Sequence, residues 1–376
     1  MKAGWEIKTI GEVCEIRSGR NQKEVENPNG KYPIYGSGGI MGYADDYLCD
    51  AGATIIGRKG SINNPLFVET KFWNVDTAFG FSPKETVLPK YLFYFCKGFN
   101  FQAMNKGTTI PSLVKTDLLQ IRIPISSLSE QQSIVDNLDQ EFAKIDALKA
   151  NAEKALQAAK DLFQATLKME LDGKTKETST LLSLCQSIVD CPHSTPIKSA
   201  AKTNFPCIRT SELKDGKISW ATMQYVSEAE YKKRITRLQP QAGDIVYGRE
   251  GTIGDAVLLP TGYSFCLGQR TMLFRPNVSL IDPEYLLYCI LSPFVYNQAM
   301  SKNTGCGVAH VNVADVKQFL IPIPKQKEEQ RRIVSRLNSL NEKSSTLQDN
   351  YRKTLALCEN LKQVLLRKAF NCELNT

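Results

Sequence analysis

The chain has 376 residues, 42% hydrophobic and 23% charged, an ordinary globular balance in a length that suits two or three domains better than one core. Lys and Arg outnumber Asp and Glu by 47 to 39, a net charge of +8, which favours a polyanion such as DNA as partner. Residues 1–6 lack the apolar core of a signal peptide, the apolar run 285–291 is far too short to span a bilayer, and none of the 11 scattered cysteines forms a Cys-x-x-Cys pair; the expectation is a cytoplasmic protein with reduced thiols, no zinc ribbon and no membrane partner.

In chain order, residues 1–128 read as a first domain of mixed α and β character. Ala53-Thr54-Ile55-Ile56 is a β-type run entering the Gly-bounded turn Gly57-Arg58-Lys59-Gly60, and residues 88–101 read as a short helix. Residues 130–171 contain neither Gly nor Pro, so 129–172 read as one long helix, with Ser129 and Gln132 as a capping box and Gly173 as the stop. Its apolar positions form two heptad series, Leu138, Ile145, Ala152, Ala159, Thr166 and Leu148, Ala155, Leu162, Met169.

A polar linker, 173–180, leads to a second mixed domain, 181–326, with a β-type run Asp244-Ile245-Val246-Tyr247 and a helical stretch at 283–300. Residues 327–372 read as a second long helix with series Leu337, Ser344, Tyr351, Cys358, Leu365 and Leu340, Leu347, Thr354, Leu361, Lys368. Each long helix measures roughly 60–65 Å at 1.5 Å per residue. Heptads sustained this far favour an antiparallel coiled coil of the two; separate amphipathic helices lying on their own domains are the alternative.

The halves echo each other in order. Asp117-Leu118-Leu119-Gln120-Ile121-Arg122-Ile123-Pro124-Ile125 answers Asp315-Val316-Lys317-Gln318-Phe319-Leu320-Ile321-Pro322-Ile323, and Glu130-Gln131-Gln132 answers Glu329-Gln330-Arg331. Upstream, Gly57-Arg58-Lys59-Gly60 matches Gly248-Arg249-Glu250-Gly251, and Tyr91-Leu92 matches Tyr285-Leu286. A period near 200 residues means duplicated domains. The expected fold class is α+β: two mixed α/β domains separated by two long antiparallel helices, with a pseudo-twofold internal repeat.

Catalytic signatures are missing. There is no phosphate-binding Gly-x-x-x-x-Gly-Lys-Ser/Thr loop and no Gly-x-Ser-x-Gly elbow, and His193 and His310 are the sole histidines. Asn64-Pro65-Leu66-Phe67 lacks the second proline of the motif that grips a flipped base in amino-methyltransferases, and reads as a turn.

The remaining constellations suit binding. Arg58, Lys59 and Arg249 stand at turn tips, where an arginine either bonds a guanine or phosphate or anchors its own loop through carbonyls. Recognition residues should diverge between copies while framework residues persist. That directs attention to unmatched loops: Arg17 and Arg20 against His193, and Lys106, Thr108 and Thr109 against Lys302 and His310. Arg209 and Arg270 complete the candidate DNA-binding set. Lys232-Lys233-Arg234 with Arg237 reads either as a solvated face or as a phosphate track.

Taken as a set, the Ile-Pro-Ile strands leading into the Glu-Gln helices, Gly243-Asp244-Ile245-Val246-Tyr247-Gly248-Arg249-Glu250-Gly251-Thr252-Ile253-Gly254, and Asp190-Cys191-Pro192-His193-Ser194-Thr195-Pro196 resemble the specificity subunits of type I restriction–modification systems. The resemblance covers essentially the whole chain, although the first copy lacks the Asp-x-x-His-x-Thr-Pro pattern. It implies two target-recognition domains, each reading one half of a bipartite, asymmetric double-stranded DNA sequence. It also implies helices that act as a spacer and dock two methylation subunits, with restriction subunits joining them. Candidate docking residues are Leu138, Ile145, Leu148, Leu162, Leu337, Leu340, Leu347, Tyr351 and Leu361. No cofactor is expected in this chain; S-adenosylmethionine, ATP and Mg²⁺ would belong to the partners. The competing readings are a self-contained DNA methyltransferase or nuclease with an unrecognised site, and a coiled-coil adaptor that binds no DNA.

Overall fold

The structure, a computed structural model, describes residues 4–172, 177–214, 216–303, 309–324 and 326–370, with the side chain of residue 172 left out. The Gly173 stop, the first half of the 173–180 linker (173–176), residues 304–308 of the second copy's loop and the last residues of the 327–372 segment lie outside the described residues. The chain divides into two compact units, Met1–Glu153 with Arg352–Thr376, and Lys154–Tyr351.

In the first unit an antiparallel sheet runs in the order Cys14–Ser18, Ala78–Pro83, Ala53–Gly57, Leu66–Val68. Every residue of Ala53–Gly57 is buried, Thr54 included, which is why its sequence carries no charge and none of the alternation of a half-exposed strand. A smaller sheet orders Gly39–Ala44, Tyr32–Gly36 and Trp73–Asn74, the last pair parallel. Glu6–Thr9 pairs with Arg122–Ile125, the Ile-Pro-Ile strand.

The second unit repeats this plan. Its sheet orders Cys185–Asp190, Thr271–Pro276, Ile245–Gly248, Ala256–Leu258. The smaller one orders Gln224–Tyr225, Pro206–Ile208, Cys266–Leu267, and Thr178–Thr180 pairs with Leu320–Pro322. Both short helical stretches are interrupted. Pro89–Gly98 gives way to a 3-10 turn, Phe101–Met104. In the second unit Pro293 ends one helix, Pro283–Leu291, and starts another, Pro293–Ser301, with Ser292 between them donating to Cys289 O at 2.6 Å.

The first long helix spans Leu128–Asp172 and the second Lys327–Phe370. The first starts earlier than the Ser129 capping box. Ser127 Oγ accepts from Glu130 N at 3.3 Å, and Gln132 bonds Asp136 instead of reaching back. Gln131 is buried and turns away from its own helix. Its Oε1 accepts from Leu88 N at 2.9 Å, and its Nε2 donates to Thr86 O at 3.0 Å and Ser126 O at 2.9 Å. Gln330 does the same in the second unit, accepting from Asp282 N at 2.8 Å and donating to Leu280 O at 3.3 Å. Tyr91 and Tyr285 reach the carbonyls of Pro124 and Pro322, at 2.8 and 3.0 Å. The motifs shared by the two halves are thus the bolts joining each sheet domain to its helix.

Within each unit the helical segments run antiparallel. In the first, Lys149 meets Glu359 while Asp146 meets Lys362. In the second, Ser344 Oγ donates to Ala159 O at 3.0 Å and Arg336 pairs with Glu170 at 3.3 Å. One heptad series of each helix holds buried positions: Leu138, Ile145, Ala152 and Ala159 in the first, and Leu337, Ser344 and Cys358 in the second. Leu366 and Ala369 enter the first unit's core beside Tyr91 and Phe95, and Leu167 and Leu171 enter the second unit's core beside Tyr285.

Candidate nucleic-acid interface

In the first unit the strand Ala53–Gly57 exits into the Arg58–Gly60 turn. A Cβ on Gly57 would lie 2.3 Å from Ser61 O, and Gly60 has φ +81°, so glycine is required at both ends. Arg58 N donates to Thr77 O at 2.8 Å, Gly60 N to Pro111 O at 2.9 Å, and Leu113 N to Arg58 O at 2.9 Å. These backbone bonds seat the turn between two other segments, 74–78 and 105–113. The latter is pinned by Asn105, whose Oδ1 accepts from Gly107 N and Ser112 N, each at 2.8 Å. Lys106, Thr108, Thr109 and Ile110 project from it exposed, alongside exposed Lys59.

Arg20 joins the same frame through its amide, which donates to Asn74 O at 3.0 Å. Arg58 is half-buried, its guanidinium 3.4 Å from Asp76 O and 5.9 Å from the Phe79 ring centroid. Arg17 stands apart: it pairs with Glu15 at 3.0 Å and donates to Leu48 O. Sequence reasoning missed the exposed apolar residues Ile40 and Met41, which follow the hairpin turn whose Ser37 lies against Gly57 and Gly60. Asn64-Pro65-Leu66-Phe67 is not the turn expected of it: the turn lies at Ile62-Asn63, and Leu66 and Phe67 belong to the strand Leu66–Val68.

The second unit builds the same frame from different side chains. Arg249 N donates to Arg270 O at 3.2 Å, Gly251 N to Ala309 O at 2.9 Å, and Val311 N to Arg249 O at 3.0 Å; Gly251 has φ +80°. Asn303 Oδ1 accepts from His310 N at 2.9 Å, in the role of Asn105. Here the arginine is an anchor, contrary to its inclusion among the DNA contacts. Arg249 is 6% exposed, its Nε and Nη2 lie 3.0 and 3.1 Å from the Asp190 carboxylate, and its Nη1 lies 3.2 Å from His310 Nδ1.

Arg209 is likewise tied, donating to Glu212 at 3.1 and 2.7 Å. The Lys232–Arg237 cluster is neither a solvated face nor a phosphate track throughout. Arg234 is buried against Glu230 and donates to Leu267 O, Ser194 O and Pro192 O, and Arg237 donates to Asp190 O and Cys191 O. Both brace the 190–196 loop from behind, and Lys232 pairs with Glu228.

What remains for a ligand is a polar surface with two depressions. A cavity of about 220 Å³ is lined by His193, Arg249, Glu250, Gln269 and Arg270. A second, of about 280 Å³, is lined by residues including Lys198, Arg209, Gln224, Gln269 and Arg270. With its amide oxygen turned to the cations, Gln224 accepts from Lys198 Nζ at 2.7 Å and Arg209 Nη1 at 3.0 Å. His193 is exposed, 3.4 Å from Asp190, and Gln269 donates to its carbonyl at 2.7 Å. His310 is half-buried, while Lys302 is exposed just after the helix Pro293–Ser301. Lys198, Gln224 and Gln269 were missed; the last lies two residues before the strand Thr271–Pro276, which pairs with Ile245–Gly248, a position that could have marked it.

The proposed docking positions separate cleanly. Leu138, Ile145 and Leu337 are 0–5% exposed, Leu138 within the first unit's core and Leu337 within the second's, so they cannot touch a partner. Leu340 and Tyr351 are half-buried. Leu148, Leu162, Leu347 and Leu361 are exposed, as are Met169, Leu357 and Val364, which sequence reasoning did not single out for docking.

Among the described residues no group of three or more His, Cys, Asp or Glu could hold a metal, and no helix is long and apolar enough to cross a membrane. Residues 2–158 and 196–355 match the family model for the type I restriction modification DNA specificity domain. The specificity subunit of the type I restriction enzyme EcoDI from Escherichia coli is 23% identical across 98% of this chain and 88% of its own. That of MjaVIII from Methanocaldococcus jannaschii is 24% identical across 90% and 86%. A chain solved in work on complex assembly and conformational transition of the type I R-M system superposes with a TM-score of 0.76 at 18% identity, covering 100% of this chain and 99% of that one. The HsdS subunit from Thermoanaerobacter tengcongensis gives 0.55 at 18% identity, covering 100% and 98%. At such identities the superpositions establish the fold, and the match in both halves establishes kinship: the chain belongs to the type I restriction modification DNA specificity family, the non-catalytic specificity subunits of these systems.

Proposed function

We propose that each unit reads one half of a bipartite, asymmetric double-stranded DNA target, and that the long helices set the spacer between the halves and dock two methylation subunits, which restriction subunits join. One observation carries this reading. The same backbone frame holds the tip loops of both units, yet it presents Lys59, Lys106, Thr108 and Thr109 in one and Glu250, His310 and Arg270 in the other. A scaffold kept constant under changing polar side chains suits two reading heads with different base preferences. S-adenosylmethionine, ATP and Mg²⁺ belong to the partner subunits, and the work takes place on chromosomal DNA in the cytoplasm.

The test is a methylome comparison of cells with and without the gene. A gapped methylated motif that depends on the gene is expected; no change in any such motif refutes the reading. Adding one helical turn, about 5.4 Å, to both long helices should change the tolerated spacer and leave both half-sites intact. Altered half-sites with an unaltered spacer would show that the helices do not set it.

A further inference from the structure

For an L-residue the left-handed backbone region brings Cβ against the neighbouring carbonyl, so glycine normally occupies it. Among the described residues, one non-glycine does so: Arg270, at φ +69°. The frame itself does not demand this. Ladder pairs Gly57–Ala78 and Gly248–Thr271 align Arg270 with Thr77, and the two share a task, since their carbonyls accept from Arg58 N and Arg249 N. Thr77 performs it without a positive φ.

A residue kept in a strained conformation that its counterpart avoids, where glycine would fit freely, is retained for its side chain. That side chain stands where the two polar cavities of the second unit meet, lining both. Its neighbours are already committed. Gln269 is tied to His193 O and Thr195, Arg209 to Glu212, and Arg249 to Asp190. Arg270 is held through Nε by Glu250 at 3.2 Å, with its side chain still 53% exposed.

We infer that Arg270 is a specificity-determining residue of the second unit, donating from its guanidinium to the N7 and O6 acceptors of a guanine in the second half-site. This rests on the proposed DNA-reading function. Arginine's rigid fork matches those two acceptors, whereas a backbone phosphate would be served as well by a lysine, as a point charge. Glu250 fixes the fork's bearing before DNA arrives.

The experiment uses the full chain assembled with its methylation subunits, and duplexes carrying the mapped target with 7-deazaguanine, which lacks N7, at each guanine in turn. The wild-type complex should lose about tenfold affinity or more at one guanine of the second half-site. Arg270→Gly and Arg270→Lys should bind the unmodified target correspondingly less well, be indifferent to that substitution, and keep discrimination in the first half-site. Arg270→Gly should also raise the second unit's melting temperature by about 2–4 °C by removing strain. Lower melting for Arg270→Gly would mark a structural residue and overturn the inference. So would wild-type indifference to every deazaguanine in that half-site, or Arg270→Lys retaining the full effect. A wild-type complex without preference for any sequence would instead overturn the recognition function itself.

Discussion

Asp190→Asn tests whether the buried arginine brace organises the second unit's reading surface. Arg249 and Asp190 meet through two N–O contacts of 3.0 and 3.1 Å, with side chains 8% and 13% exposed. The amide cannot neutralise the guanidinium, which stays enclosed between two loops. Breaking a pair this deeply buried costs about 3–5 kcal/mol, against 0–1 kcal/mol for an exposed one. With a urea slope of about 2–3 kcal/mol/M for a unit of this size, the midpoint should fall by about 1–2.5 M. Trp220 belongs to the second unit while Trp5 and Trp73 belong to the first. In a Trp5→Phe, Trp73→Phe background, Trp220 fluorescence therefore follows the second unit alone. Replacing both partners, Asp190→Leu with Arg249→Met, should recover most of the loss, because no unpaired charge is left inside. Selectivity for one half-site should fall in the single variant while the other is unaffected. A midpoint shift under about 0.3 M would place the pair among weak surface contacts and refute the reasoning.

The helix bolts make a second prediction: Gln131→Leu should cost about 2–4 kcal/mol, since Leu88 N and the Thr86 and Ser126 carbonyls lose their partner, and hydrogen exchange should quicken at the Leu88 amide. On the helix pair, Leu148→Ser and Leu361→Ser should change stability by no more than about 0.5 kcal/mol yet weaken co-purification of the methylation subunits. Leu138→Ala and Leu337→Ala should instead cost about 2–5 kcal/mol in chemical denaturation. Burial pushes the Cys14, Cys49 and Cys185 thiols up to about 12, so at pH 8 they stay protonated in the native protein; mass spectrometry should find them alkylated by iodoacetamide only after unfolding, and rapid native labelling would contradict the packing.

The long helices were legible because Gly and Pro vanish from them and apolar residues recur every seven positions. Which series faces inward was not. Leu148 and Leu162 look more like a seam than Ala152 and Ala159, yet the alanines are interior and the leucines are not; small side chains let two helices approach closely, a choice that only the pairing reveals. The cap slipped for a related reason, since Ser126, Ser127 and Ser129 crowd the helix start at Leu128 and only the geometry selects Ser127. The repeat correctly marked the shared residues, but it could not say whether Arg249 reads DNA or anchors a loop. Its partner Asp190 lies 59 positions away, a separation without any local signature. Arg234 and Arg237 misled for the same reason, their carbonyl partners lying more than thirty positions distant.

The two units also show how one frame can serve two sequences. In the first, the tip loops are held by main-chain bonds and by Asn105, none of which depends on Lys59, Lys106, Thr108 or Thr109. Those side chains are therefore free to change with little effect on stability. The second unit keeps the main-chain bonds but adds a buried ionic layer, Asp190–Arg249 with His310 beside it, to which the more exposed Glu250–Arg270 pair does not belong. Its reading surface is pre-organised by charge, so altering one member disturbs the others. Random substitution at the tips should accordingly yield altered half-sites readily in the first unit, whereas in the second it should more often yield unfolded or inactive protein. Equal tolerance in both units would mean that the ionic layer contributes nothing to holding the frame.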